Sequence, residues 1–201
     1  MAREVIRIMV SSAVYGFEKD LRQICASIEN FKSKEFEYEV ANSHIGSIYV
    51  PPGVSNQEAC LRAVDDCDFF FGIILPRYGS GITHQEFARA IAQDKPRGFL
   101  SHFSVRYARE LLAQYMYSDK KKRVRNPDFT FTKTPVFEDA RIIDMYNEAI
   151  QDGLPLEQRR WVHEFGHLNG DEMKFVETEF KNINRLKNDL DELVRIKALQ
   201  P

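Results

Sequence analysis

The chain has 201 residues, 43% of them hydrophobic and 29% charged, enough for one well-buried domain with a small appendage. A formal charge of −2 gives no general attraction to nucleic acid or to an anionic membrane, and no apolar run approaches the ~20 residues of a spanning helix. Met1-Ala2-Arg3-Glu4 passes straight into a strand pattern, so no signal peptide is expected. The three cysteines, Cys25, Cys60 and Cys67, form no C-x-x-C pair and argue against a disulfide framework; a cytoplasmic location follows as an expectation.

In chain order, Val5-Ile6-Arg7-Ile8-Met9-Val10 has the apolar, β-branched character of a buried strand, closed by Ser11-Ser12. Phe17, Leu21, Ile24, Cys25 and Ile28 then recur at helical spacing and predict a helix from about Tyr15 to Phe31, which the two serines could cap. Phe36 to Val40 alternates apolar and acidic residues, as a strand with one polar face does. Asn42 to Gly53, with Gly46, Pro51, Pro52 and Gly53, reads as a loop. Ser55-Asn56-Gln57-Glu58 is a capping box that opens a helix with Ala59, Leu61, Ala63 and Val64 inward.

The stretch from Phe69 to Ala90 organises the rest. Phe69-Phe70-Phe71-Gly72-Ile73-Ile74-Leu75 is apolar apart from one glycine and is stopped by Pro76, which suits a central strand buried on both faces. Arg77-Tyr78-Gly79-Ser80-Gly81 leaves its carboxyl end, where ligands sit in open α/β sheets. Thr83-His84-Gln85-Glu86 then starts a helix that continues through Phe87, Ala90 and Ile91. Glu86 has two readings. It is the N3 member of a capping box on Thr83, or it is a carboxylate placed for catalysis beside a glycine-rich crevice.

Further on, Gly98-Phe99-Leu100 is a fourth strand. Ser104 to Tyr117 is a helix with Val105, Ala108, Leu111, Leu112 and Tyr115 on one face. Lys120-Lys121-Lys122-Arg123-Val124-Arg125 carries five cations without interleaved aromatics and reads as a solvated loop. Phe129-Thr130-Phe131-Thr132 is a short strand candidate, and Phe137 to Ile150 an amphipathic helix. From Asp171 to Lys197 an apolar stripe including Leu190 and Leu193 predicts a long helix that packs on the domain or on a partner subunit.

His163-Glu164-Phe165-Gly166-His167 fits H-E-x-x-H, in which a helix holds zinc between the two histidines and the glutamate acts as base. A third ligand is needed. Met173 stands where the metzincin pattern wants histidine, leaving Asp189, Asp191 or Glu192 as candidates. Gly166 and Gly170 each disfavour a helix by about 1 kcal/mol, and Trp161 to Phe165 alternates like a strand. No metal is therefore expected, with a protease-type zinc site on His163 and His167 as the alternative.

Taken together, the order of strands and helices with Ser11-Ser12, Asp68, Arg77-Tyr78-Gly79 and Thr83-His84-Gln85-Glu86-Phe87 resembles the TIR-like domains of bacterial proteins, relatives of TIR domains that cleave NAD. The resemblance covers about residues 4–103. It implies Glu86 as the catalytic glutamate, and Ser11, Ser12, Tyr15, Arg77, Tyr78, Gly79 and His84 as substrate-binding candidates. It also implies a gating loop at Asn42 to Gly53, NAD or a related nucleotide as substrate rather than cofactor, a homo-oligomer, and a role in antiphage defence.

The expected fold is therefore α/β. A mainly parallel, five-stranded, flavodoxin-like sheet is flanked by helices over residues 1–170, and residues 171–201 form the long C-terminal helix. The expected activity is cleavage of the nicotinamide–ribose bond to give ADP-ribose or a cyclic ADP-ribose-type signal, without nucleic-acid or membrane partners. The alternatives are a non-catalytic nucleotide-binding or self-assembly module, a nucleoside deoxyribosyltransferase-like enzyme, and the zinc protease.

Overall fold

A computed structural model describes residues 4–31, 36–119, 124–155, 159–166, 174–176 and 178. The apolar runs become five strands: β1 (Glu4–Ser12), β2 (Phe36–Ala41), β3 (Phe69–Ile74), β4 (Arg97–His102) and β5 (His163–Phe165). Between them lie α1 (Glu18–Asn30), α2 (Asn56–Asp66), α3 (Ile82–Ala92), α4 (Phe103–Met116) and α5 (Arg141–Ala149). The sheet order is β2-β1-β3-β4-β5, and every pairing is parallel. This is the flavodoxin-like order. The chain winds outward to β2, then returns past β1 to β3, so the β1/β3 boundary is the topological switch point.

Alternation along the strands supplies a core on each face of the sheet. Ile6, Ile8 and Val10 of β1 and Phe71 and Ile73 of β3 pack with Leu21, Ile24 and Ile28 of α1. Met9, Phe70, Ile74 and Phe99 face the other way, toward Phe87 of α3, Val105 of α4 and Ile142, Ile143 and Met145 of α5. Gly72 belongs to this second face and leaves a gap in it. Phe87 fills that gap: a Cβ at Gly72 would lie 2.3 Å from the Phe87 ring. The ring meets Phe70 edge-on at 5.3 Å and stacks on Phe99 at 5.0 Å.

Several expectations change in detail. Phe129 and Phe131 are not in a strand; they pack beside the second core, Phe131 against Phe137 at 5.9 Å. On α4, Val105 is buried, but Leu111 and Tyr115 are 68% and 57% exposed, so the inward stripe predicted there is only partly inward. All three cysteines are free and buried. No helix among the described residues is long and apolar enough to cross a membrane. Residues 120–123 of the basic run lie outside the described residues, while Arg125 pairs with Asp144. Most of the C-terminal helix, including Leu190 and Leu193, also lies outside them. Residues 174–176 are helical, and Phe175 stacks on Phe71 at 5.5 Å, which ties a position beyond residue 170 to the core.

Ser55 caps α2, its side chain accepting from the Glu58 N–H at 3.1 Å, while the Glu58 carboxylate pairs with Arg62 at 2.6 Å. Ser55→Ala is expected to lose about 0.5–2 kcal/mol in chemical denaturation. Gly72→Ala should cost about 1–3 kcal/mol by overpacking. Adding Phe87→Leu to Gly72→Ala should cost less than the two single changes summed, because both act on one contact. Strict additivity would show that the two sites are uncoupled.

Candidate functional site

At the switch point a cavity of about 460 Å³ opens between the carboxyl ends of β1 and β3 and the helices α2 and α3. Five short segments wall it. β1 ends in it with Ser11 and Ser12, and the following loop adds Tyr15. Asn42 and Ser43 follow β2, Cys60 comes from α2, and Tyr78 and Gly79 lie on the loop ahead of Thr83 and Glu86 of α3. A smaller cavity of about 280 Å³ between α2 and β1/β2 has charged walls, Arg7, Glu39, Arg62 and Asp66.

Glu86 is the charged residue that stands out in the larger cavity, because it is only 4% exposed. The capping box expected around it does not form. α3 begins at Ile82 on an N-cap of Gly81, in the left-handed region at φ 82°, so Thr83 lies inside the helix and Glu86 beyond its N3 position. The carboxylate instead accepts a short hydrogen bond from the Ser11 hydroxyl and a hydrogen bond from the Cys60 thiol. Burial raises the Glu86 pKa above the ordinary glutamate range, while these two donors act in the opposite sense. Burial and the nearby carboxylate push the Cys60 thiol up to about 12, so it serves as a neutral donor rather than a nucleophile.

The expectation that Ser11 and Ser12 cap α1 also fails. Both lie in β1, buried, and the N-cap of α1 is Phe17 with no side-chain hydrogen bond. Asn42, which sequence reasoning passed over, anchors the loop after β2. Its amide donates to the Val10 carbonyl at 2.7 Å, and its oxygen accepts from the His44 and Ile45 N–H groups at 2.9 and 3.2 Å. Cys60 was likewise missed as a site residue, since a lone cysteine on a helix gives no signal of what it faces. Its position on the inward face of α2, next to Ala59, was the available clue.

Tyr78 is held from several sides. Its N–H donates to Glu138 at 2.8 Å, its hydroxyl pairs with His84 Nδ1 at 2.8 Å, and Arg141 lies over its ring at 4.3 Å. His84 Nε2 in turn reaches Glu148 at 3.2 Å. His84 therefore stands behind Tyr78 rather than in the cavity wall. Arg77 also lies outside the wall, over the ring of Tyr15 at 5.8 Å, and Tyr15 itself is 78% exposed at the rim.

The H-E-x-x-H segment is not a helix at its start. His163–Phe165 is β5, where neighbouring side chains point to opposite faces. His163 packs against Phe175 at 4.6 Å, and Glu164 pairs with Arg106 at 3.0 Å. His167 lies outside the described residues, and among those described no group of three or more His, Cys, Asp or Glu residues is placed to hold a metal ion.

The raised Glu86 pKa has a consequence for stability. Folding favours its neutral form relative to the unfolded chain, so this contribution is complete below the unfolded carboxyl pKa and is lost as pH rises through the raised value. Glu86→Gln keeps an acceptor for Ser11 and carries no charge. Its melting temperature is expected to match or exceed that of the parent at about pH 8, with the gain shrinking toward about pH 4. A loss that grows with pH would mean that the ionised carboxylate stabilises the fold.

No curated protein matches the chain in sequence. Among solved structures, the crystal structure of a conserved protein from Enterococcus faecalis V583 is similar at 9% identity and a TM-score of 0.40, covering 88% of this chain and 99% of that one. The sequence model of a family described as a domain of unknown function, DUF4062, matches residues 7–160. That span contains every residue lining the Glu86 cavity, and by this match the chain belongs to the DUF4062 family.

Proposed function

We propose that the Glu86 cavity binds the nicotinamide–ribose end of NAD or a related nucleotide and breaks its N-glycosidic bond. The observation that carries this reading is the buried Glu86 carboxylate at the sheet's switch point, in a cavity large enough for a nucleoside and hydrogen-bonded to Ser11 and Cys60. A carboxylate withdrawn from water acts on a developing cation far more strongly than an exposed one. The resemblance to TIR-like domains points to the same residue independently.

In this mechanism the bond between ribose C1′ and the pyridinium nitrogen breaks heterolytically. Nicotinamide leaves neutral with the electron pair, and the positive charge passes to the ribosyl oxocarbenium ion. Ionised Glu86 stabilises that charge from the ribose face, while Tyr15 at the rim offers a ring for stacking. Water adds to C1′ and releases a proton to give ADP-ribose; capture by an adenine nitrogen gives a cyclic product instead. Burial that raises the Glu86 pKa therefore sets a pH threshold, since only the ionised form stabilises the cation.

One observation favours a second reading, a nucleotide-binding module without turnover: Glu86 already accepts from two donors, and burial disfavours its charged form. Purified protein incubated with NAD and assayed for released nicotinamide separates the two. Turnover is expected, rising with pH as Glu86 ionises, and Glu86→Gln should lower kcat by about 10²-fold or more. Ser11→Ala removes a donor to the ionised form and should move that rising limb to higher pH. NAD binding without nicotinamide release, equal in parent and Glu86→Gln protein, would leave only the binding module.

A further inference from the structure

A third cavity, of about 520 Å³, lies on the other side of the turn that carries Tyr78, lined by Pro76, Arg77, Lys133, Thr134, Val136 and Glu138. The same turn borders both cavities, Tyr78 and Gly79 on one side and Pro76 and Arg77 on the other. We propose that this groove is a pyrophosphate site, so that the ligand of the Glu86 cavity is a dinucleotide whose nucleoside diphosphate half lies over Arg77 and Lys133. The proposal rests on the functional reading above for what occupies the first cavity, but not for the groove itself.

Five features support it. The rim is pinned: Thr134 N–H bonds to the Phe137 carbonyl at 2.9 Å, its hydroxyl accepts from the Phe137 N–H at 3.0 Å, and Glu138 N–H reaches the Pro76 carbonyl at 3.2 Å. Lys133 and Arg77 are thus carried on fixed backbone. The groove's own carboxylate, Glu138, accepts from the Tyr78 and Gly79 N–H groups at 2.8 and 3.3 Å, which offsets its charge. Among the described residues neither Arg77 nor Lys133 has a carboxylate in direct ion-pair contact, Glu18 acting on Arg77 at longer range. Val136 is 69% exposed beside the two cations, an apolar surface of the kind on which a base or ribose can pack. Arg77 also reaches the Tyr15 ring at the rim of the first cavity, so the two sites form one surface.

The test is calorimetric binding to full-length Glu86→Gln protein, in which turnover is slowed by about 10²-fold or more under the proposed mechanism. The probes are ADP-ribose, which carries the pyrophosphate, and nicotinamide riboside, which carries no phosphate. Lys133→Ala is expected to weaken ADP-ribose by about tenfold, Lys133→Glu by more, and Lys133→Arg to retain most of the affinity. Nicotinamide riboside should be unaffected by all three, and ADP-ribose affinity should fall with added salt. ADP-ribose binding that ignores Lys133, or a Lys133→Ala loss shared equally by nicotinamide riboside, overturns the groove. Lys133-dependent ADP-ribose binding in a parent protein that releases no nicotinamide supports the groove while removing the glycosidic reading.

Discussion

The structure depends on one steric fit, the ring of Phe87 seated in the space that Gly72 leaves on β3. β3 is the central strand and every one of its side chains is buried, so any helix crossing it must find room among rings. Gly72 provides that room at one point, and Phe70 and Phe99 close around the inserted ring. Interiors pack at crystal-like density, and a contact this tight tolerates little sliding. α3 is thereby fixed in both position and rotation over the sheet, and Glu86, the residue before Phe87, is turned toward the end of β1. The placement of the carboxylate follows from the packing of its neighbour.

That placement is unfavourable for the isolated carboxylate. Burying it without a cationic partner disfavours its charged form, and the two donors, Ser11 and Cys60, are neutral. A domain that sought only stability would be better served by an apolar residue between β1 and α2. Charge held out of water at a ligand crevice is the usual arrangement where charge is to act on a bound molecule. The opposite design appears around Asp152, where Arg109 and Arg159 both pair with a buried carboxylate at 3.1 and 2.6 Å. That carboxylate is neutralised where it sits and reads as a structural clasp.

Glu86 also marks where local sequence rules give way. Thr83-His84-Gln85-Glu86 satisfies the capping-box pattern as well as Ser55-Asn56-Gln57-Glu58 does, yet only Ser55 caps its helix. The difference lies upstream. Gly81 adopts a left-handed conformation against the Tyr78 ring and starts the helix two residues early, at Ile82. The same holds for α4, where helical periodicity cannot say which apolar residues have neighbours to meet. Near β5, Gly166 and the alternation of Trp161 to Phe165 correctly favoured a strand over a helix at His163–Phe165.

By itself the sequence determined the elements that are strongly patterned: the buried central strand, the alternating β2, the cap at Ser55, and an α/β domain with parallel strands. It also drew attention to Glu86 and to the loops at Ser11 and Tyr78, since residues after strand ends in such a domain lie on the crevice side. These features are local, set by side-chain period and by glycine and proline placement. Only the tertiary structure decided that Ser11 and Cys60, 75 and 26 residues from Glu86 along the chain, are its hydrogen-bond partners. It likewise decided that His84 backs Tyr78 and that Arg77 lies outside the cavity wall. Those relations depend on how helices dock across the sheet, and docking is settled by long-range packing such as Phe87 on Gly72, for which no short-range pattern exists.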